Sequence, residues 1–406
     1  NEAPGDRGFL QELRDAGLRF FREAAHPATG QVLDRRLARG EPESRRVASI
    51  AATGFGLSVL AVAHEEGWAP RDGLREQVRR TLRYIERDLP AERGFLYHFH
   101  DWESGERVWR CELSSIDTAI LLCGVVACRS AFPGDETVQS PAQRLLDRVD
   151  WPWMLDGDRT FSMGWKPEEG FLRSRWDHYC ELMLLYLLAL GSETFPVDEA
   201  VWRSWTRPVR TYYGRTFVWS PAPLFVHQFA HAWFDFRGRR DFDGTDWFAN
   251  SVAATEAHRA WSVERADRFP RWSERLWGVT SSDSQQGYVG WGGPPDSGPL
   301  DGTIVPCAAA GSLPFLPGPC LETLRHQREQ LGGRVWDRYG FVDAFNPHNG
   351  WVNPDVVGID VGITTVMSAN LLGGGVWRLM ARDPWVRRGM ARAGLAGRYG
   401  AGPGVG

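Results

Sequence analysis

Two kinds of helical segment alternate along this chain. The stretches at 53–66, 114–128 and 178–190 are apolar almost all round, the mark of helices buried on every side. The stretch at 72–88 (DGLREQVRRTLRYIERD) confines its apolar residues to one face, and 141–149 is likewise polar on one side. In full, helical periodicity predicts helices at 8–25, 50–67, 72–88, 113–130, 141–149, 178–190, 198–206, 223–234, 245–266, 302–311, 319–331, 359–371 and 383–393. The alternation predicts an all-α toroid of about twelve helices, an inner ring buried on both sides and an outer ring half exposed. No regular strand–helix alternation occurs, which argues against Rossmann and TIM-type folds. Short extended pieces at 94–98 and 159–163 are expected to form small rim hairpins. Gly54 and Gly56 lie inside an apolar helix, where they cost helix stability but permit close packing. The Gly/Pro-rich stretch 287–302 carries Tyr288 and Trp291 and reads as a structured rim loop, not a linker. Residues 1–395 therefore read as one domain, with 396–406 a flexible tail.

Composition narrows the function. The 406 residues are 43% hydrophobic, enough for a large core, and the net charge of −4 makes no case for nucleic acid or an anionic membrane. No apolar run of about 18 residues is present to span a bilayer. The chain opens at Asn1 without a methionine, which leaves cytoplasmic, periplasmic and secreted locations open. Six cysteines form no CxxC pair and no zinc spacing, so neither a thiol nucleophile nor a disulfide framework is expected. The 20 tryptophans matter more. Trp102, Trp109, Trp151, Trp153, Trp165, Trp219, Trp291 and Trp351 lie outside apolar helices. A flat apolar face with one N–H donor suits the C–H faces of sugars, although for any one tryptophan core packing is the simpler account.

In a helical toroid, chemistry gathers where inner-helix N-termini and their loops converge. Four stretches put polar groups there. Glu112 and Asp117 flank the start of a buried helix behind Ser114 and Ser115, where one acid is explained by capping and two are not. Glu181 follows Trp176, Asp177 and His178 at the mouth of an apolar helix. Burial there raises a carboxyl pKa, as a general acid needs, although a helix start also favours an acid for its charge alone. His227 and His231 share a helix face, with Asp235 and Arg237 beyond. A zincin would need Glu where Gln228 stands, so these groups read as partners for sugar hydroxyls, and no metal is expected. Finally Asp343, Asn346 and Trp351 precede Asp360, which again enters an apolar helix, and Asp283 with Tyr288 forms another rim loop. No GxSxG, P-loop, GxGxxG or HExxH motif occurs, and no cofactor is implied. Carboxylates, aromatics and a toroid are the equipment of glycoside cleavage, which uses a proton donor, a base or nucleophile, and stacking platforms.

With these segments in hand, the chain resembles the glucoamylase-like family of bacterial proteins that includes the family 144 glycoside hydrolases. The matching stretches lie at 53–58, 112–119, 179–192, 223–237, 276–283, 301–304, 308–315, 339–346 and 358–360, in one order over nearly the whole chain. The resemblance implies an (α/α)6 barrel acting on β-1,2-glucans, mostly as an inverting endo-hydrolase, with sophorose-releasing and transglycosylating groups among its relatives. It implies Glu181 as general acid, Asp360 as base, and Asp117 and Glu112 in the glycone-side pocket, Asp117 being counted with the catalytic candidates. Two departures stand out: Cys180 replaces an Asp or Asn of many relatives, and Val361 follows Asp360 in place of Gln.

The expected mechanism has Glu181 protonate the leaving O2 of a glucosyl unit while Asp360 activates water, directly or through a substrate hydroxyl. Trp176, Trp291, Trp351 and Tyr288 are expected to contact the glucan by stacking. His227, His231, Asp235, Arg237, Asp283 and Asn346 are expected to fix hydroxyls or orient the acids. Alternatives on the same scaffold are an exo-acting or transferring enzyme, and a non-catalytic glucan-binding protein. The expected partner is an oligo- or polysaccharide, and the sequence leaves oligomeric state open.

Overall fold

Burial follows the apolar pattern. In the computed structural model, which describes residues 4–40 and 43–397, most helices form near where the periodicity places them. They are α1 (Pro4–Glu23), α2 (Ile50–Glu66), α3 (Arg71–Arg87), α4 (Ser115–Ala131), α5 (Glu136–Asp147), α6 (Trp151–Met154) and α7 (Met183–Gly191). Then come α8 (Phe229–Trp233), α9 (Trp247–Glu264), α10 (Pro306–Ala310), α11 (Pro317–Leu331), α12 (Gly358–Gly373), α13 (Gly375–Arg382) and α14 (Pro384–Arg392). Every residue of α7 is buried, as are Ile50 through Ala63 of α2. By contrast α3 buries one face only, through Leu74, Gln77, Val78, Thr81, Leu82 and Ile85. The apolar helices form the interior and the amphipathic ones cover it: α2 packs on α4, α1 on α12, α14 on α7, and α3 on α5.

The α2–α4 contact depends on glycine. A Cβ on Gly54 would stand 2.6 Å from the Ile120 carbonyl oxygen and the Leu121 Cα, so the helices meet backbone to backbone, as the sequence anticipates. At the other end of α12, Gly374 adopts φ 78°, and α13 leaves at 82° to α12. Among the described residues no single helix is long and apolar enough to cross a membrane.

Several boundaries differ from expectation for local reasons. Of 198–206 only a 3-10 turn forms, Glu199–Arg203, and 223–234 breaks at Gln228 into a 3-10 turn, Leu224–His227, and α8. Gln228 sends its side-chain amide to the Ala308 carbonyl (2.9 Å) and Ser312 (2.8 Å). The unpredicted α6 is a four-residue turn capped by Asp150, too short for periodicity to register. The unpredicted α13 is hidden behind the glycines at 373–375.

Small antiparallel strand pairs decorate the structure. Phe99–Asp101 pairs with Val47–Ser49 and Arg35–Leu37 with Asp355–Val357; Ser281–Ser284 pairs with Gly287–Gly290 inside the Gly-rich rim loop. From the 94–98 piece, Phe95–Leu96 pairs with Ala91–Glu92, whereas 159–163 contributes only a bridge from Ser162 to Arg175. The expected tail lies outside the described residues from 398 onward.

Candidate active site

The starts of α2, α4 and α12, with the turn before α7, converge on a cleft of about 560 Å³. Its wall includes Ser49, which caps α2, Ala51 from α2, Asp117 from α4, and Val357 and Ile359 at the start of α12, together with Asp34, Arg35, His98, Trp109, Glu181 and Tyr288. Convergence of inner-helix N-termini is the arrangement the sequence predicts.

Glu181 lies in the turn that leads into α7, not in the helix itself. It is buried, and burial pushes its carboxyl up to about 7, with the charge of Asp117 adding to the rise. Hydrogen bonds from its own backbone N–H and from Cys180 oppose this. The departure at Cys180 therefore bears directly on the acid, because a thiol donor stands beside it. A carboxyl poised near neutrality can give a proton to a leaving oxygen.

Asp117 occupies the first turn of α4. The Ser114 hydroxyl caps the helix by accepting the Asp117 N–H (3.1 Å) and donates to Asp117 Oδ2 (2.5 Å). His98 then ties both acids of this stretch together, Nδ1 at 3.0 Å from Glu112 Oε1 and Nε2 at 3.3 Å from Asp117 Oδ2. Burial opposes charge on this ring, but Asp117 and Glu112 together hold the imidazolium up to about 9. The ring stacks on Phe99 at 3.9 Å. Ligand atoms of His98, Glu112 and Asp117 lie within 4.8 Å of one another, a spacing that can hold a cation. With both ring nitrogens facing carboxylates, the imidazolium already supplies that positive charge.

Asp283 lies behind Arg35 of the wall, clamped by it at 2.7 and 3.2 Å and by the Asn353 amide at 2.8 Å. Tyr288, from the same hairpin, lines the cleft and is 55% exposed. Trp109 is 69% exposed at the cleft wall, on two successive left-handed residues, Trp109 at φ 56° and Arg110 at φ 46°. Such backbone costs roughly 1–3 kcal/mol per residue and gathers at functional sites.

Asp360 lies in the first turn of α12, one step behind the wall. With Asp343 and Cys307 it lines a small cavity of about 20 Å³. Burial raises its carboxyl to about 6 although Asp343 and Cys307 both hydrogen-bond to it, and Asp283 and Asp34 add to the rise.

The remaining candidates do not line the cleft, each for a structural reason. His227 and His231 are buried in the core: His227 Nδ1 meets the Tyr179 hydroxyl (2.9 Å) and His231 Nε2 meets Ser251 (2.9 Å). Burial holds both neutral, with His231 pushed down to about 3. Asp235 and Arg237 form a bidentate pair (2.8 and 3.0 Å) beyond the end of α8, where Arg237 stacks on Trp377 of α13. Trp176 and Trp291 are buried and donate to Ser115 (2.9 Å) and Ser282 (2.8 Å), bracing the loops instead of facing them outward. Asn346 accepts the His348 N–H within its own loop (2.9 Å) and donates to the Asp301 carbonyl (3.1 Å), and Trp351 belongs to that same loop. Sequence reasoning in turn missed His98, Arg35, Asp34 and the particular use of Trp109. The extended piece at 94–98 was the one signal pointing toward His98.

Residues 173–384, more than half of the chain, match the Glycoamylase family, described as "Putative glucoamylase". The chain belongs to this family. This Glycoamylase chain is 24% identical over 428 aligned residues to an exo β-1,2-glucooligosaccharide sophorohydrolase (non-reducing end) from Parabacteroides distasonis. That alignment covers 95% of the chain but 58% of the relative, so the chain spans under three-fifths of that protein's length. A crystal structure of a "putative glucoamylase" from Bacteroides uniformis superposes with a TM-score of 0.88 at 26% identity, covering 97% of this chain and 98% of that one. An endo-β-1,2-glucanase from Chitinophaga pinensis, in complex with sophorotriose and glucose, gives 0.87 at 22% identity, covering 98% and 100%. Likeness at such identity establishes a shared helical fold.

Proposed function

We propose that this protein is a glycoside hydrolase of β-1,2-linked glucan, built on residues 1–395 as one (α/α)6 barrel. The barrel reading rests on the alternation of buried and amphipathic helices and on the superposition with the C. pinensis endo-β-1,2-glucanase over 98% of the chain. One observation carries the chemistry: Glu181 is a carboxyl held near neutral pH by burial, opening onto a cleft walled by further acids and two exposed aromatics. Glu181 protonates the glycosidic oxygen as the bond breaks. Asp360 serves as the base that activates water, directly or through a substrate hydroxyl. Asp117 and Glu112, fixed by His98, and Asp283, fixed by Arg35, accept hydrogen bonds from glucosyl hydroxyls. Tyr288 and Trp109 offer faces for sugar rings.

The name of the P. distasonis relative favours a second reading, exo-action releasing sophorose, on the same acids. Incubation with linear β-1,2-, β-1,3-, β-1,4- and α-linked glucans, with product analysis, decides among these. Mixed β-1,2-oligomers mean endo-cleavage, sophorose alone means exo-cleavage, and lengthened chains mean transfer. Binding without turnover of any glucan refutes the enzyme.

A further inference from the structure

Resting on the reading of Asp360 as the base, we propose that Asp343 is a permanently neutral carboxylic acid that donates a hydrogen bond to Asp360, a positioning residue that leaves Asp360 the ionised member of the pair. The geometry of the two side chains carries this. Asp343 Oδ2 accepts the Asp283 N–H at 2.9 Å, while Asp343 Oδ1 and Asp360 Oδ2 are both buried and meet no N–H or O–H of any other residue. The two carboxyl groups are in side-chain hydrogen-bond contact. Two carboxylates cannot form such a contact without a proton between them, and one proton serves both lone oxygens.

The surroundings decide which acid keeps it. Asp360 lies in the first turn of α12, where the helix N-terminus favours negative charge, and it has the Cys307 thiol as a second donor. Asp343 has one backbone donor and is the more deeply buried, 4% exposed against 8%. Burial, then the neighbouring Asp360, pushes the Asp343 carboxyl well above its ordinary range. The other charged or titratable groups facing Asp360 are Asp34, Asp283 and Tyr288, and Arg35 sits across Asp283 and Asp34. Asp283 is engaged by Arg35 and Asn353, and Asp34 lies beside the Arg35 guanidinium.

The neutral state makes a sharp distinction between substitutions. In Asp343→Asn the amide oxygen still accepts the Asp283 N–H and the amide N–H still donates to Asp360. Turnover of linear β-1,2-glucan is therefore expected within a few-fold of wild type, with the acid limb of the kcat pH profile unmoved. In Asp343→Ala the donor is lost, and the acid limb is expected to move up by about one pH unit. Asp360→Asn serves as the control. If it turns over glucan normally, the assignment of the base fails. If it is inactive and folded Asp343→Asn is equally inactive, Asp343 must carry charge and the inference fails. A readout free of turnover is the carbonyl stretch of a protonated carboxyl in 13C-aspartate-labelled protein at pH 8. The band is expected in wild type and absent in Asp343→Asn; its absence from wild type overturns the inference.

Discussion

Replacing Glu181 by Gln should both abolish turnover and stabilise the protein, the second effect appearing only at high pH. Gln keeps the shape of the protonated acid but cannot release a proton. The folded-state carboxyl is raised by burial from 4.5 to about 7. Below pH 4.5 Glu181 is neutral whether the chain is folded or not, and substitution costs little. As pH rises the unfolded chain ionises first, so wild type progressively loses stability until the folded carboxyl also ionises above pH 7. At 1.36 kcal/mol per pH unit, the penalty carried by wild type at pH 8–9 is about 3 kcal/mol. With roughly 2.1 cal/mol/K of unfolding entropy per residue over 406 residues, this corresponds to about 3–4 °C in Tm. Thermal melts of wild type and Glu181→Gln from pH 4.5 to 9 measure it, alongside reducing-end release from β-1,2-glucan. The difference should be near zero at pH 4.5 and grow through neutrality in favour of the variant. A difference independent of pH, or unimpaired hydrolysis by the folded variant, refutes the account of Glu181 as a desolvated acid.

Three further outcomes follow from the same geometry. Trp109→Ala should raise KM for oligosaccharides several-fold while leaving kcat nearly unchanged, because the ring is exposed at the cleft wall and bonded to no acid; steady-state kinetics on sophorooligosaccharides separates the two. His98→Gln should lower kcat/KM by at least tenfold and destabilise the fold. Since the His98 ring is raised from 6.5 to about 9, its stabilisation is complete below pH 6.5 and lost through pH 9, so the loss seen in melts should shrink above that pH. Gly54→Ala drives a methyl to 2.6 Å from the backbone of α4 and should cost about 1–3 kcal/mol in chemical denaturation.

The parts of the fold legible in the sequence were those governed by periodicity. Stretches 53–66, 114–128 and 178–190 announce burial because no face is polar, and their starts predicted where the acids meet. Glu181, Asp117 and Glu112 could be found this way, since each breaks an apolar run at its N-terminal end. His227 and His231 misled for the same reason: a histidine on an apolar segment gives one sequence signal whether it faces a cleft or, as with the Tyr179 and Ser251 contacts, the core. Asp235 and Arg237 could not be placed, because they sit beyond the far end of a helix that is shorter than its pattern suggests. Arg35 and Asp34 come from an extended segment with no periodic signal, and their importance arises only when that segment pairs with Asp355–Val357.

Glu181 and Glu112 are shifted in opposite directions by local means, and such a separation is what acid–base chemistry at one pH requires. Among the described residues no cation shifts Glu181 in the turn before α7, so burial governs and its carboxyl is raised to about 7. Asp117, in the first turn of α4, and Glu112, just before the helix, share one imidazolium at 3.3 and 3.0 Å, and Glu112 is lowered as a result. Moving that cation to Glu181 would lower its carboxyl and favour its ionised form; removing it would take away the group that Glu112 and Asp117 share. The placement of His98 in the bend between Phe95–Leu96 and Phe99–Asp101, reaching α4 but not the α7 turn, therefore sets Glu181 apart from Asp117 and Glu112.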